Sequence, residues 1–133
     1  MHKCLGGCHC GRVKIEVQIP ENIIVHRCNC SICQKSGYLH LIVEAENFKL
    51  LSGEESLTDY SFHTGVARHL FCQHCGIKSF YIPRSHPRGF SVNLNCMELP
   101  AEIEVTVEEF DGRNWSENRK HLAQSPADKT RPG

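Results

Sequence analysis

The stretch at residues 28–37, CNCSICQKSG, brings three cysteines within six positions of one another. Cys28, Cys30 and Cys33 lie close enough in the chain to bind one metal ion through three thiolates, and such a knuckle would fix the local fold. Structural zinc sites are closed by four protein ligands, whereas catalytic zinc sites keep one position open. The function expected of this knuckle therefore depends on what fills its fourth position.

Two more cysteine groups flank this stretch, in GGCHCG at residues 6–11 and in FCQHCG at residues 71–76. The chain has nine cysteines, and the odd number, the tight grouping and an N-terminus without a secretory signal favour metal binding over disulfides. The most economical division gives one closed site and one three-thiolate site. The closed site would use Cys8, Cys10, Cys72 and Cys75, and the second would use Cys28, Cys30 and Cys33. A division that adds one cysteine of another group to the second site remains open at this stage.

Length and charge restrict the class of protein. The 133 residues suit one domain, and Lys+Arg and Asp+Glu are both 15, so the net charge is zero. A neutral chain is not expected to bind nucleic acid through bulk positive charge. No apolar run is long enough to cross a membrane, and we expect a cytoplasmic protein.

The apolar pattern predicts an all-β domain of seven or so short antiparallel strands. Residues 13–19 alternate apolar and polar side chains, as do residues 90–96 and 103–107, so that each segment is expected to bury one face. On this pattern Cys96 is a buried apolar side chain, Cys4 could be exposed, and residues 47–53 form a connection with a turn at its end. A helical turn is expected at residues 31–35 and a short helix at residues 115–122. We place the domain at residues 1–122 and a mobile tail at residues 123–133.

The three cysteine groups, in this order and spacing, resemble the family of glutathione-dependent formaldehyde-activating enzymes and centromere protein V. The similarity runs from about Gly6 to about Trp115, and KSFYIPRSHPRGF and EEFDGRNW resemble the centromere protein V branch more than the bacterial enzymes. The resemblance implies a β-tent-type fold with two zinc ions per chain. It also implies that Cys8, Cys10, Cys72 and Cys75 hold the structural zinc, and that Cys28, Cys30 and Cys33 hold the catalytic-type zinc.

An open three-thiolate zinc suits a substrate thiol as its fourth ligand, because soft sulfur ligands favour it and zinc stabilises a thiolate. The expected function is that of a carbon–sulfur lyase acting on a glutathione adduct, such as S-(hydroxymethyl)glutathione, or on another small-thiol adduct. The alternative is a non-catalytic zinc module that binds a protein partner. Candidates for binding substrate carboxylates are Arg27, Lys35, Arg68, Arg84 and Arg88. Candidates for acid–base catalysis are His26, His40, His63, His69 and His74, among which the sequence makes no choice.

Overall fold

The computed structural model describes residues 1–62 and 67–114, which form ten β-strands and one α-helix. The strands are β1 (His2–Gly7), β2 (Lys14–Ile19), β3 (Asn22–Cys28), β4 (Leu39–Glu44), β5 (Phe48–Ser52), β6 (Leu57–Tyr60), β7 (His69–Cys72), β8 (Phe80–Tyr81), β9 (Gly89–Asn93) and β10 (Glu104–Phe110), and the helix is α1 (Ser31–Ser36). The all-β prediction is confirmed, and α1 is the helical turn expected after the knuckle. No helix in the described part of the chain is long or apolar enough to cross a membrane. The helix expected at residues 115–122 and the tail at residues 123–133 lie outside the described residues.

Three sheets are present among the described residues, with strand orders β1-β2-β5, β10-β3-β4-β9-β8 and β6-β7. One pairing differs from the antiparallel arrangement that we expected. β10 runs parallel to β3, in a register from Glu104 opposite Asn22 to Phe110 opposite Cys28. This parallel register brings the chain after Phe110 directly to the first cysteine of the knuckle.

The core lies under the three-stranded sheet and on one face of the five-stranded sheet. Val13, Ile15, Val17 and Ile19 are fully buried, as the alternation at residues 13–19 predicts. Cys4 belongs to the same cluster, because its partner in the β1-β2 register is Val17. The suggestion that Cys4 could be exposed is therefore wrong.

Three further expectations fail because a strand is present where a connection was expected, ends earlier than expected, or lies at the edge of its sheet. β5 occupies most of the segment taken for a connection, since Leu50 of that segment pairs with Ile15. β9 ends at Asn93, and Cys96 lies half-buried in a 3₁₀ turn rather than on an inward strand face. β10 is an edge strand whose Val105 and Val107 stay 39% and 43% exposed, so it does not bury one face.

β9 is also covered on both faces, which the alternation did not predict. Val92 packs in the apolar core, while Ser91 on the opposite face is fully buried and Asn93 is largely buried. The strand lies between β4 and β8, so both of its edges are paired as well. The buried polar face of β9 looks toward His40, and it becomes part of the site described below.

Candidate functional site

The first and third cysteine groups meet in space. The sulfur atoms of Cys8, Cys10, Cys72 and Cys75 all lie within 4.8 Å of one another, and the Cys10 and Cys72 sulfurs are 3.7 Å apart. The Val13 and His74 amides donate hydrogen bonds to the sulfurs of Cys8 and Cys72. Four convergent thiols could hold one metal ion in a closed tetrahedral site that joins the turn after β1 to the end of β7.

Two glycines make the tight turns of this group feasible. Gly11 and Gly76 follow the two cysteine pairs with φ of 84° and 77°, a left-handed conformation that strains other residues. A Cβ atom at either position would meet no atom within 4 Å, so the glycines serve the backbone conformation rather than close packing.

The middle group forms a separate cluster of three. The sulfurs of Cys28, Cys30 and Cys33 lie within 4.8 Å of one another, at the end of β3 and the start of α1. Among the described His, Cys, Asp and Glu side chains, these three alone converge there, so a metal ion held by them would keep a fourth position open. The structure thus brings the seven thiols together as four and three.

Gly112 packs directly against the three-cysteine cluster. A Cβ atom there would overlap Cys28 Sγ and lie 3.0 Å from Cys30 Cβ, so only glycine lets the chain after β10 pass so closely. Asn29 fixes the position of the chain after β10. Its backbone amide donates to the Phe110 carbonyl (3.2 Å), and its side-chain oxygen accepts from the Arg113 backbone amide.

The donor set of the three-cysteine cluster fits a soft divalent cation. Hydrogen bonds with Cys28 and Cys33 lower the pKa of Cys30, while hydrogen bonds with Cys28 and Cys30 raise the pKa of Cys33. Ionisation of one thiol therefore disfavours ionisation of its neighbours. Thiolate ligation by a metal ion supplies positive charge and allows all three sulfurs to be deprotonated.

His40 supports the cluster from β4. Its Nε2 lies 3.1 Å from Cys33 Sγ, while its Nδ1 lies 3.1 Å from the Tyr81 hydroxyl and 3.0 Å from the Ser91 hydroxyl. Burial lowers the pKa of His40 to about 3, so the ring is neutral and has one donor and one acceptor nitrogen. With Cys33 as a thiolate, Nε2–H donates to sulfur and Nδ1 accepts from a hydroxyl. This is the arrangement that orients a metal ligand from outside the coordination shell.

The three-cysteine cluster lies in the wall of a cavity of about 560 Å³. A cavity of this size can accommodate a ligand larger than a single amino acid. Its other walls come from β3, β4, β7, β8 and the segments after Tyr81 and Phe110. The side chains that matter for chemistry are His26, His40, His69, Tyr81, Arg84 and Arg113.

The candidate cations are distributed differently from the expectation. Arg84 lines the cavity, whereas the Arg27 and Arg68 guanidinium groups are held by Glu109 (2.8 Å) and Asp59 (2.7 Å). Lys35 is exposed in the last turn of α1, and neither Lys35 nor Arg88 contributes to the cavity wall.

The candidate histidines also divide into those that line the cavity and those that do not. His26, His40 and His69 line the cavity, and His74 lies between two cysteines of the four-cysteine group. His63 lies outside the described residues.

Several residues of the site were missed by the sequence reasoning. Arg113 lines the cavity, where Nε donates to the Asn29 carbonyl (3.0 Å) and Nη2 donates to Gln34 Oε1 (2.7 Å). Ser91 reaches His40 from the face of β9 that was assigned to solvent. Lys78, which follows the second cysteine pair, is buried behind Tyr81. A sequence signal existed for two of them, because Lys78 and Arg113 lie in the stretches KSFYIPRSHPRGF and EEFDGRNW that carry the family resemblance.

The comparisons with known proteins fit this geometry. Residues 3–113 match the sequence profile of the family described as glutathione-dependent formaldehyde-activating enzyme. The chain belongs to that family. It is also similar to a Rhodobacter sphaeroides protein of known crystal structure, with 33% sequence identity, a TM-score of 0.66, and coverage of 78% of this chain and 99% of that one.

Membership in the glutathione-dependent formaldehyde-activating family covers both cysteine clusters and the whole cavity wall named above. The description of the family names glutathione and formaldehyde. The match does not separate the centromere protein V branch from the bacterial enzymes, so that finer placement stays a prediction.

Proposed function

We propose that this chain is a zinc-dependent carbon–sulfur lyase that makes or cleaves S-(hydroxymethyl)glutathione, or the adduct of another small thiol. The observation that carries the proposal is the position of the three-cysteine cluster in the wall of a cavity large enough for a small peptide. A structural metal site has no need of such a cavity. The four-cysteine group has the closed ligand set expected of a structural zinc.

Both clusters fit zinc, so we assign two zinc ions per chain. Cys8, Cys10, Cys72 and Cys75 would hold the structural ion, and Cys28, Cys30 and Cys33 would hold the second. Zinc bound at the second cluster would supply a soft Lewis acid with a vacant position, which favours the ionised form of a substrate thiol.

The proposed reaction forms or breaks one carbon–sulfur bond and moves one proton. In the direction of synthesis, the thiolate sulfur forms a bond to the formaldehyde carbon, and the carbonyl π electrons move onto oxygen. That oxygen takes up the proton that the thiol has lost. Cleavage of the adduct reverses each of these changes, so no oxidant or reductant is needed.

The cavity residues of this chain provide binding and hydrogen bonding for that reaction. Arg113 is held in place by Asn29 and Gln34, so its guanidinium is pre-oriented to bind a substrate carboxylate, and Arg84 lines the same cavity. His69 lines the wall with the three cysteines, where a ring nitrogen can donate a hydrogen bond to the oxygen on which charge develops.

The alternative, a non-catalytic zinc module that binds a protein partner, would be favoured by a closed second site away from any cavity. The convergence of three sulfurs, with His40 Nε2 near Cys33 alone, favours the enzyme instead. A cytoplasmic location, as expected from the sequence, accords with the proposal because thiols are kept reduced there.

The test is the rate of exchange between glutathione, formaldehyde and their adduct, followed by two-dimensional exchange NMR at equilibrium. We expect the zinc-loaded protein to accelerate exchange above the spontaneous rate, Cys30→Ser to abolish the acceleration, and Cys96→Ser to retain it. Cys96 is the matched control because it is outside both clusters and half-buried. Equal exchange rates with and without the wild-type protein would refute the proposal.

A further inference from the structure

Lys78 has an unusual environment for a lysine. Its side chain lies among buried residues with 9% exposure, and none of the ion pairs among the described residues includes it. Buried ammonium groups normally have an anionic partner, because loss of hydration disfavours the charged form. Burial accordingly lowers the pKa of Lys78.

Three groups surround the Lys78 amine in place of a carboxylate. Nζ lies 4.8 Å from the centroid of the Tyr38 ring, 4.6 Å from that of the Tyr81 ring, and 3.2 Å from His69 Nδ1. Two aromatic faces stabilise a cation rather than a neutral amine. Burial and these two ring faces act in opposite directions on the pKa of Lys78. In its ammonium form, Lys78 has hydrogen-bond donors and no acceptor.

The contact with an ammonium fixes the tautomer of His69. Because Lys78 Nζ can only donate, His69 Nδ1 must accept, and the proton of a neutral imidazole must then lie on Nε2. Burial lowers the pKa of His69 to about 4, and the charge of Lys78 acts in the same direction, so the ring is neutral near pH 7. His69 is thus a neutral hydrogen-bond donor through Nε2.

The ring of His69 is also fixed in orientation. It stacks on Tyr81 with a centroid separation of 4.7 Å and an interplanar angle of 19°, and on Phe62 with 5.5 Å and 19°. Its ring lines the cavity that contains the three-cysteine cluster, while Lys78 does not reach the cavity wall. Lys78 can therefore act on a bound substrate through His69, the residue of the cavity wall that its amine contacts.

We propose that Lys78 is a positioning residue that holds His69 as the Nε2–H tautomer, so that His69 donates a hydrogen bond to the hydroxymethyl oxygen of the substrate adduct. This inference rests on the proposed function for the identity of the substrate. The tautomer depends instead on the contact between the Lys78 ammonium and the neutral ring of His69. In synthesis, this hydrogen bond stabilises the oxygen that receives the carbonyl electrons. In cleavage, it stabilises the charge on the same oxygen before the carbonyl group forms.

The first test reads the tautomer without using activity. In protein with ¹⁵N-labelled histidine, the shifts of Nδ1 and Nε2 distinguish the two neutral tautomers. We expect His69 to be protonated at Nε2 in the wild type and in Lys49→Met, an exposed-lysine control on β5, and to lose this preference in Lys78→Met. An unchanged His69 tautomer in a folded, zinc-loaded Lys78→Met protein would overturn the proposal, whether or not the protein catalyses exchange.

The second test uses exchange kinetics. Lys78→Met should lower kcat for adduct cleavage by about tenfold or more with little change in KM for the adduct, because the lost interaction acts on the developing charge. His69→Gln, whose amide can replace the Nε2–H donor, should retain more activity than His69→Asn. Lys78→Met should have no further effect in the His69→Gln background. Independent, multiplicative losses in the double variant would contradict an action of Lys78 through His69.

Discussion

The two cysteine clusters should differ sharply in what they contribute to folding, and a matched pair of serine variants measures the difference. Cys72→Ser removes a fully buried ligand from the group that joins residues 62 positions apart, whereas Cys30→Ser removes one from a group that spans residues 28–33. Both changes replace sulfur by oxygen, so they differ in position rather than in chemistry.

The magnitude follows from what each metal site joins. The entropy of closing a loop grows with the logarithm of its length, so constraining the longer loop is worth about 2 kcal/mol more than constraining the short one. Loss of a closed structural metal site adds the binding energy that is coupled to folding, and we expect Cys72→Ser to destabilise the protein by more than about 4 kcal/mol. Cys30→Ser should cost about 1–2 kcal/mol, since β3, β10 and α1 stay packed around the cluster.

Urea unfolding followed by circular dichroism, together with metal counts on the folded fraction, provides the assay. We expect Cys30→Ser to fold with one zinc ion and Cys72→Ser to fail to give a cooperative transition. The reasoning is refuted if Cys30→Ser destabilises the protein as strongly as Cys72→Ser, because the three-cysteine cluster would then be structural as well.

Three further predictions follow from the site. Elemental analysis of protein purified without chelator should find two zinc ions per chain, and a single zinc ion would contradict the four-plus-three division. A mild chelator should first remove the zinc ion at the three-cysteine cluster, since that ion has fewer protein ligands. Gly112→Ala should expel the second zinc and leave the first, because its methyl group overlaps Cys28 Sγ, and equal retention of both ions would show that the chain there can move aside. Arg113→Ala should raise KM for glutathione by about tenfold with kcat little changed, whereas Arg27→Ala, outside that cavity wall, should not; equal effects would remove Arg113 from substrate binding.

Local patterns predicted the parts of this fold that depend on local causes. The alternation at residues 13–19 identified four core residues, and the helical turn after Cys30 was expected at nearly its observed position. The grouping of cysteines also agrees with the way the seven thiols meet in space. Neighbours in the sequence determine the first two outcomes and the three-cysteine cluster, whereas the four-cysteine cluster was predicted by counting ligands.

The misses have long-range causes. Val105 and Val107 alternate like core residues, but β10 is at the edge of its sheet, so they remain partly exposed. Ser91 looks like a solvent-facing residue, yet its side chain contacts His40, which lies 51 positions away. Strand order and sheet covering decide these positions, and a single sequence does not specify either.

Lys78 and Arg113 were missed for a related reason. Lysine and arginine are mostly exposed, so their default interpretation is a solvated surface charge. Lys78 is buried because Tyr38 and Tyr81 provide two aromatic faces. Tyr38 lies 40 positions before Lys78 in the sequence, and the fold brings the two together. Arg113 reaches the cavity because β10 pairs with β3 in parallel.

The most direct test of the central claim is a thiol titration of protein with cobalt at the three-cysteine cluster and zinc at the four-cysteine cluster. Cobalt bound to thiolates absorbs visible light with a spectrum that depends on its ligands. If the cluster is an open site for a substrate thiol, glutathione should change the sulfur-to-cobalt and ligand-field bands in a saturable way, and S-methylglutathione, which has no free thiol, should not. An unchanged spectrum at millimolar glutathione, with cobalt shown to occupy the cluster, would contradict the proposed chemistry.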